Sequence, residues 1–301
     1  MDLVVLAAGR GSRFGAPKQI TEIDGKGHFI MDYDIHDAVE AGFDRIVIIV
    51  SEETEKAIAG EFMERSREYL RDNGVTVSIV RQGWDDRVSE MCPERTKPLG
   101  TAHAVMCCSR KVHDVFVTIN ADDYYGPETF KVAADFIRNN NNCENYGCVA
   151  FRAGNTLSEN GAVKRGICVV EDGNIVRIVE SSIRRSGPGT VDAEPLDGSE
   201  PFTAEDTVPV SMNMFILPLE TMDEFIDRFE LFLQDMKDPP SNEYLLPDVI
   251  SDMVGDGIAK LRIVESPETW YGLTYKSDME PLEDAIRGKI ASGMYTEDLW
   301  E

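Results

Sequence analysis

The chain has 301 residues, enough to bury a sizeable core in one large or two small domains. Its 55 acidic residues outnumber 30 basic ones, giving a formal net charge of −25. That balance argues against nucleic acid or an anionic membrane as a partner, because both call for a broad basic surface.

In chain order, "LVVLAA" (residues 3–8) is apolar on both faces and predicts a buried strand. "MDYDIHDAVEAGF" predicts a helix closed at Gly42, and "RIVIIV" a second buried strand. "TEKAIAGEFMERSREYLRDNG" predicts a long helix with a charged face, and "VTVSIV" a third strand. "GTAHAVMCCSRKV" predicts a helix, "DVFVTINADD" a fourth strand, and "PETFKVAADFIRN" a helix with Pro127 in its first turn. This β-α-β-α alternation implies a doubly wound, mostly parallel sheet.

The second half changes character. "YGCVAFRA", "RGICVVEDGNIVRIVES" and "PVSMNMFILP" predict strands with turn signals between them, hence antiparallel additions. Residues 181–207, rich in Ser, Gly, Pro, Asp and Glu, predict a long mobile connection. Two helices follow, "LETMDEFIDRFELFLQDM" and "NEYLLPDVISDMV", then a strand "IAKLRIVES" and a helix from about Pro281.

The apolar run at the start is too short for a secretory leader, and nothing approaches the roughly 18 apolar residues of a membrane span. Cys92, Cys107, Cys108, Cys143, Cys148 and Cys168 make no CxxC and no zinc-ligand spacing with histidine. They are expected to be reduced thiols in or near the core of a cytoplasmic protein. His28, His36, His103 and His113 are dispersed and are expected to be ordinary packing or surface residues, and Trp270 a core residue. The sequence leaves open whether Tyr124 or Tyr125 lines a pocket, and whether Asn213 reaches a ligand.

Three stretches carry chemistry. After the first strand, Gly9 and Gly11 let the backbone approach a ligand, Arg13 offers a two-pronged grip on phosphate, and Lys18 adds a point charge. The spacing G-x-G-x-x-x-G fits neither the dinucleotide fingerprint nor a Walker A loop. "KPLGTAHAV" places Gly100 at a turn into a helix, where a bare backbone would accept a flat base; an ordinary helix start would look the same. "FVTINADDYYG" ends a buried strand with Asp122 and Asp123, a carboxylate pair of the kind that binds Mg²⁺, or else a polar cap.

Together "LAAGRGSRFGAPKQ", "PLGTAHAV" and "INADDYYG" resemble the sugar-1-phosphate nucleotidylyltransferases, strongly over about the first 126 residues and more weakly through "RGICVVEDGNIVRIVE", "NEYLLPD" and "WYGLTYKSD". The resemblance implies a Rossmann-like three-layer α/β/α sandwich with a mixed, mostly parallel central sheet. It divides the chain into a nucleotide-binding half (1–126), a sugar-phosphate-binding half of the same domain (127–265) and a C-terminal helical tail (266–301). It implies Mg²⁺ and the reaction of an NTP with a sugar 1-phosphate to give an NDP-sugar and pyrophosphate, and leaves a homo-oligomer open.

By motif match, Ala8, Gly9, Gly11 and Arg13 hold the triphosphate, and Lys18 neutralises charge in the transition state. Arg13 and Lys18 are the catalytic residues, Gln82 and Gly100 meet the base, Thr101 joins the nucleotide site, Asp122 binds the metal, and Gly166, Glu180 and Glu243 contact the sugar phosphate. Two departures stand out. Ser181 follows Glu180 where the family has lysine, with Lys164, Arg165, Arg184 or Arg185 as replacements. Gly272 stands where the family has a second metal aspartate, with Asp123 as its replacement. These departures keep two alternatives open: a cytidylyl- or other nucleotidylyltransferase acting on a polyol or choline phosphate, and a non-catalytic nucleotide- or sugar-sensing subunit.

Overall fold

Strands that are apolar on both faces need cover on both faces, and that requirement organises the molecule. The computed structural model describes residues 1–9, 17–140, 145–158, 161–273 and 276–301. Its first half runs β1 (Asp2–Ala7), α1 (Ile30–Glu40), β2 (Arg45–Val50), α2 (Glu52–Ala57), α3 (Met63–Asp72), β3 (Thr76–Arg81), α4 (Asp86–Met91), α5 (Thr101–Cys107), β4 (Phe116–Asn120) and β5 (Asp123–Tyr124). The second half runs α6 (Pro127–Asn139), β6 (Asn145–Arg152), β7 (Val163–Glu171), β8 (Asn174–Gly187), β9 (Thr190–Pro195), β10 (Phe202–Glu205), β11 (Pro209–Leu217), α7 (Thr221–Asp235), α8 (Leu246–Gly255), β12 (Lys260–Glu265), β13 (Tyr271–Gly272) and α9 (Met279–Ala291).

The strands β4, β1, β2 and β3 form a parallel block, in that order. β11 then adds antiparallel to β4, and β6 antiparallel to β11. β12 returns parallel to β6, and β8, β9 and β10 continue the sheet, with β7 pairing to both β11 and β8. The result is the expected mixed sheet, its parallel part concentrated in the first half. Alternate residues feed two cores. Leu3, Val5 and Ala7 pack with α1, α6 and α9 on one face, while Val4, Leu6 and Ala8 pack with α5, α7 and α8 on the other.

Several local expectations change. The segment 181–207 is not a mobile connection: it completes β8 and supplies β9 and β10 as an antiparallel ribbon. The apolar side chains its strands bury are only Ile183, Val191 and Ala193, so their composition looks like loop, and glycines serve the turns at Gly189 and Gly198. The long helix predicted before Gly74 is α2 and α3 joined through a π-helical stretch, Ile58–Phe62. α4 went unforeseen, α5 is shorter than predicted, and α8 begins at Leu246 rather than near Asn242, with Pro247 in its first turn. The C-terminal tail is docked: Tyr295 donates to Asp37 (2.7 Å), and the Trp300 indole N–H donates to Asp32 (3.0 Å), which Arg65 also grips at 2.7 and 2.6 Å.

Candidate active site

β1 and β4 are neighbours in the parallel block, so the loops leaving their carboxyl ends open on the same side, where open α/β sheets bind ligands. A cavity of about 690 Å³ lies there. Ala8, Gly9, Lys18 and Asp122 line it from these two loops. Gln82 enters from the end of β3, Gly100 and Thr101 from the start of α5, and Glu243 from the approach to α8. Gly11 and Arg13 lie outside the described residues, as does Cys143; the other five cysteines are free.

Lys18 and Asp122 are linked through the backbone of Leu273. The Lys18 ammonium donates to the carbonyl of Leu273, whose own N–H donates to the Asp122 carbonyl at 3.4 Å. Burial holds the Asp122 carboxyl above the usual range, and the charge of Lys18 works against that rise. Asp123 lies behind the cavity wall, where burial and the neighbouring Asp122 charge push it up to about 8. One of its oxygens accepts from Asn120 at 2.8 Å, while the other faces Gly272, 2.7 Å from where a Cβ would stand. The Trp270 ring fills the rest of that space. Among the described residues no three His, Cys, Asp or Glu side chains converge as a metal cage. One hard carboxylate facing a cavity does suit Mg²⁺, which takes one or two carboxylates and completes its shell with water and substrate phosphate.

Gly100 is required by the fold. It has φ 104° and ψ 176°, a region open essentially to glycine alone, and any Cβ would collide with the carbonyl of Tyr244. Tyr244 N–H donates to Leu99 (2.7 Å) and its carbonyl accepts from Ala102 (3.0 Å), which holds the approach to α8 against the start of α5. Thr101 adds to this seam by accepting from Leu246 N–H at 2.8 Å. Gln82 donates its amide to the Gly100 carbonyl at 3.0 Å.

Further lining residues escaped the sequence reading. Lys97 reaches into the cavity and pairs with Glu243 at 2.7 Å. Behind it the buried Arg95 ties two loops together, donating to the carbonyls of Lys97 (2.7 Å), Pro98 (2.9 Å), Asn242 (2.8 Å) and Pro239. The clustered cations of "ERTKPLG" were the available signal. Asn213, left open by the sequence, lines the cavity from β11. It is held at φ 61°, where the register with β6 slips between Ser211 and Phe215. Tyr124 and Tyr125 are both fully buried and line no pocket wall here.

Gly166 and Glu180 pair with each other across β7 and β8, outside this lining. Lost solvation and the nearby Asp248 hold the Glu180 carboxyl above its ordinary range, against Lys164 and Arg165. Register places Lys164 on the same sheet face as Gly166 and Glu180. Arg165 points to the opposite face, where it sits 4.5 Å over the Trp270 ring and donates to Thr156. Arg184 and Arg185 pair with Asp192 and Asp206. Ser181 is buried, its hydroxyl donating to Val179 at 3.1 Å.

Comparison with known proteins gives the same outline. No match is found among curated protein sequences. Among solved structures, the inositol-1-phosphate CTP transferase from T. maritima has a TM-score of 0.64 at 14% identity, with 96% of each chain covered. A UDP-glucose pyrophosphorylase complexed with UDP-glucose has a TM-score of 0.59 at 15% identity, covering 96% of this chain and 98% of the other. At these identities the likeness is one of fold. The sequence model of the nucleotidyl transferases matches residues 3–181, more than half the chain, and on that match this chain belongs to the nucleotidyl transferase family.

Proposed function

We propose that the chain joins an NTP to a sugar 1-phosphate, releasing pyrophosphate and forming an NDP-sugar, with Mg²⁺ as cofactor and in the cytoplasm. The observation that carries this reading is the convergence of Lys18, Asp122, Gln82, Gly100 and Glu243, far apart in sequence, on one cavity. In this reaction a phosphate oxygen of the acceptor attacks the α-phosphorus. A new P–O bond forms as the bond to the pyrophosphate oxygen breaks, and pyrophosphate leaves with its charge. The attacking oxygen is already anionic, so no general base is needed. Alignment and charge neutralisation carry the rate.

In this reading Ala8, Gly9, Gly11 and Arg13 cradle the triphosphate, and Lys18 meets the charge that gathers in the transition state. Gln82, Gly100 and Thr101 meet the base; Gly166, Glu180 and Glu243 meet the acceptor. Asp122 is the protein ligand for Mg²⁺, which supplies further positive charge at the phosphates. The cation missing after Glu180 is supplied by Lys164, which shares the face of Gly166 and Glu180 while Arg165, Arg184 and Arg185 are engaged elsewhere. The halves 1–126 and 127–265 divide the work between nucleotide and acceptor, and 266–301 buttresses them.

A second reading keeps the nucleotide half and changes the acceptor to a polyol or choline phosphate. The buried Ser181, which offers no charge to a sugar phosphate, favours it. Lys18 and Asp122 in the cavity speak against a purely sensing role. The deciding experiment is pyrophosphate release by purified protein with Mg²⁺, each NTP being offered with sugar 1-phosphates, polyol phosphates and choline phosphate. Turnover with sugar 1-phosphates supports the first reading. Turnover with the others alone moves the acceptor to the second, and no turnover with any pair overturns both.

A further inference from the structure

We propose that His103 is a positioning residue: it fixes the Gln82 amide so that only its oxygen is left for the nucleobase, committing the site to bases that offer a ring N–H. Those bases are uracil, thymine and guanine; cytosine and adenine are disfavoured. The inference rests on the reading above in which Gln82 meets the base.

The argument begins with the two hydrogens of the amide nitrogen. One goes to the Gly100 carbonyl at 3.0 Å and the other to His103 Nδ1 at 3.3 Å. A carbonyl oxygen can only accept, so the amide atom facing Gly100 must be nitrogen, and the flip of the side chain is settled by its partner. That partner is fixed in turn, since the Gly100 carbonyl also accepts from Ala104 N–H at 3.1 Å in the first turn of α5.

His103 supplies the second anchor. Its ring is buried, 5.2 Å from the Phe229 ring, and loss of solvation lowers its pKa to about 4. The imidazole is therefore neutral at neutral pH. Nδ1 accepts from Gln82, which leaves the ring proton on Nε2. With both amide hydrogens spent, Gln82 Oε1 has no hydrogen-bond partner among the described residues, in a side chain that lines the cavity.

The consequence is a one-sided reader. A free glutamine amide recognises adenine at two points, its oxygen taking the amine and its nitrogen meeting a ring nitrogen. Here the nitrogen is spent. Cytosine and adenine can offer only their exocyclic amine, leaving the adjacent ring nitrogen unpaired in the pocket, and an unpaired acceptor away from water is costly. The ring N–H of uracil, thymine or guanine meets the oxygen directly.

The test is calorimetric binding of each Mg–NTP to the full chain without acceptor, alongside pyrophosphate release. The wild type should bind UTP, dTTP or GTP roughly tenfold or more tighter than CTP and ATP. In His103→Leu the Gly100 carbonyl still holds one amide hydrogen, but the second is released to meet the ring nitrogen of cytosine or adenine, and that ratio should fall toward one. In His103→Gln, whose side-chain oxygen can accept from Gln82, it should survive. If His103→Leu does not fold, Gln82→Ala, at a more exposed position, should likewise erase the ratio. A wild type that binds CTP or ATP as tightly as the others overturns the inference. So does a His103→Leu that weakens every nucleotide by one factor with the ratio unchanged. In both cases the proposed reaction stands if pyrophosphate is still released, whereas failure to bind any nucleotide overturns both.

Discussion

Lys18 and Asp122 both line the cavity, and the Leu273 backbone ties the Lys18 ammonium to the backbone of Asp122. A lysine held in place before the substrate arrives needs no reorganisation when charge develops, which is where preorganised contacts gain most. Lys18→Ala should therefore lower kcat by roughly 10²-fold or more while changing KM for NTP little. Steady-state kinetics decide it: if KM rises and kcat holds, the lysine only binds the ground state. On the proposed reading Lys164 serves the acceptor side. Lys164→Ala should raise KM for the phosphate acceptor roughly tenfold, the scale of one charge-assisted contact, and leave KM for NTP alone. An unchanged acceptor KM would return the search for the missing cation to Lys97.

The seam between α5 and the approach to α8 shows how much an element can depend on one position. Gly100→Ala must take a conformation closed to alanine and must also push back the Tyr244 carbonyl. A cost of about 1–3 kcal/mol from the backbone alone, with more from the clash, should appear as a lowered denaturation midpoint and as lost nucleotide binding. A variant as stable as the wild type would show that Tyr244 yields freely. The same seam marks the limit of the sequence. Gly100 was legible as a special position, but its partner was not, because the contact joins residues nearly half the chain apart. The buried strands of the parallel block, β1, β2 and β4, were legible since they are largely apolar on both faces. The ribbon β8–β10 was not, because one-sided strands with glycine turns have the composition of a loop. Asn213 could be singled out, but its left-handed backbone could not, because a bulge leaves no mark on a period-two pattern.

At the scale of the whole molecule, the formal charge of −25 is carried partly inside. Asp34 and Asp37 on α1 are buried, and loss of solvation raises both carboxyls above the ordinary range. A folded state that holds protons the unfolded chain has released loses stability as pH rises from the ordinary carboxylate pKa, near 4, toward the raised values. The melting temperature should therefore be highest on the mildly acid side and fall toward pH 8. Asp34 locates the effect: one oxygen accepts from Tyr125 N–H at 3.0 Å and the other is buried without a partner among the described residues. Asp34→Asn keeps the first bond without the charge, so it should raise the melting temperature at pH 8 and change it little at pH 5. Calorimetry across that range is the check, and parallel curves for the two proteins would clear Asp34 of the effect. On the acid limb, burial tends to raise the Asp24 carboxyl, but His28, the Lys26 N–H and Tyr33 outweigh it and hold the carboxyl at about 2. Its contribution is present above pH 4 and is lost only as pH falls through that value.

The space in front of Gly272 has a consequence for the routes by which such a site can change. A carboxylate cannot be put there in one step, because the Asp123 carboxyl and the Trp270 ring already occupy the room. Trimming the indole first would remove the platform on which the Arg165 guanidinium lies. Either order of substitution passes through a poorly packed intermediate, and neighbouring changes of this kind do not add independently. The packing acts as a ratchet. A lineage that reaches this arrangement keeps its glycine at 272, and on the proposed reading its later adaptation has to come from the substrate side of the metal shell.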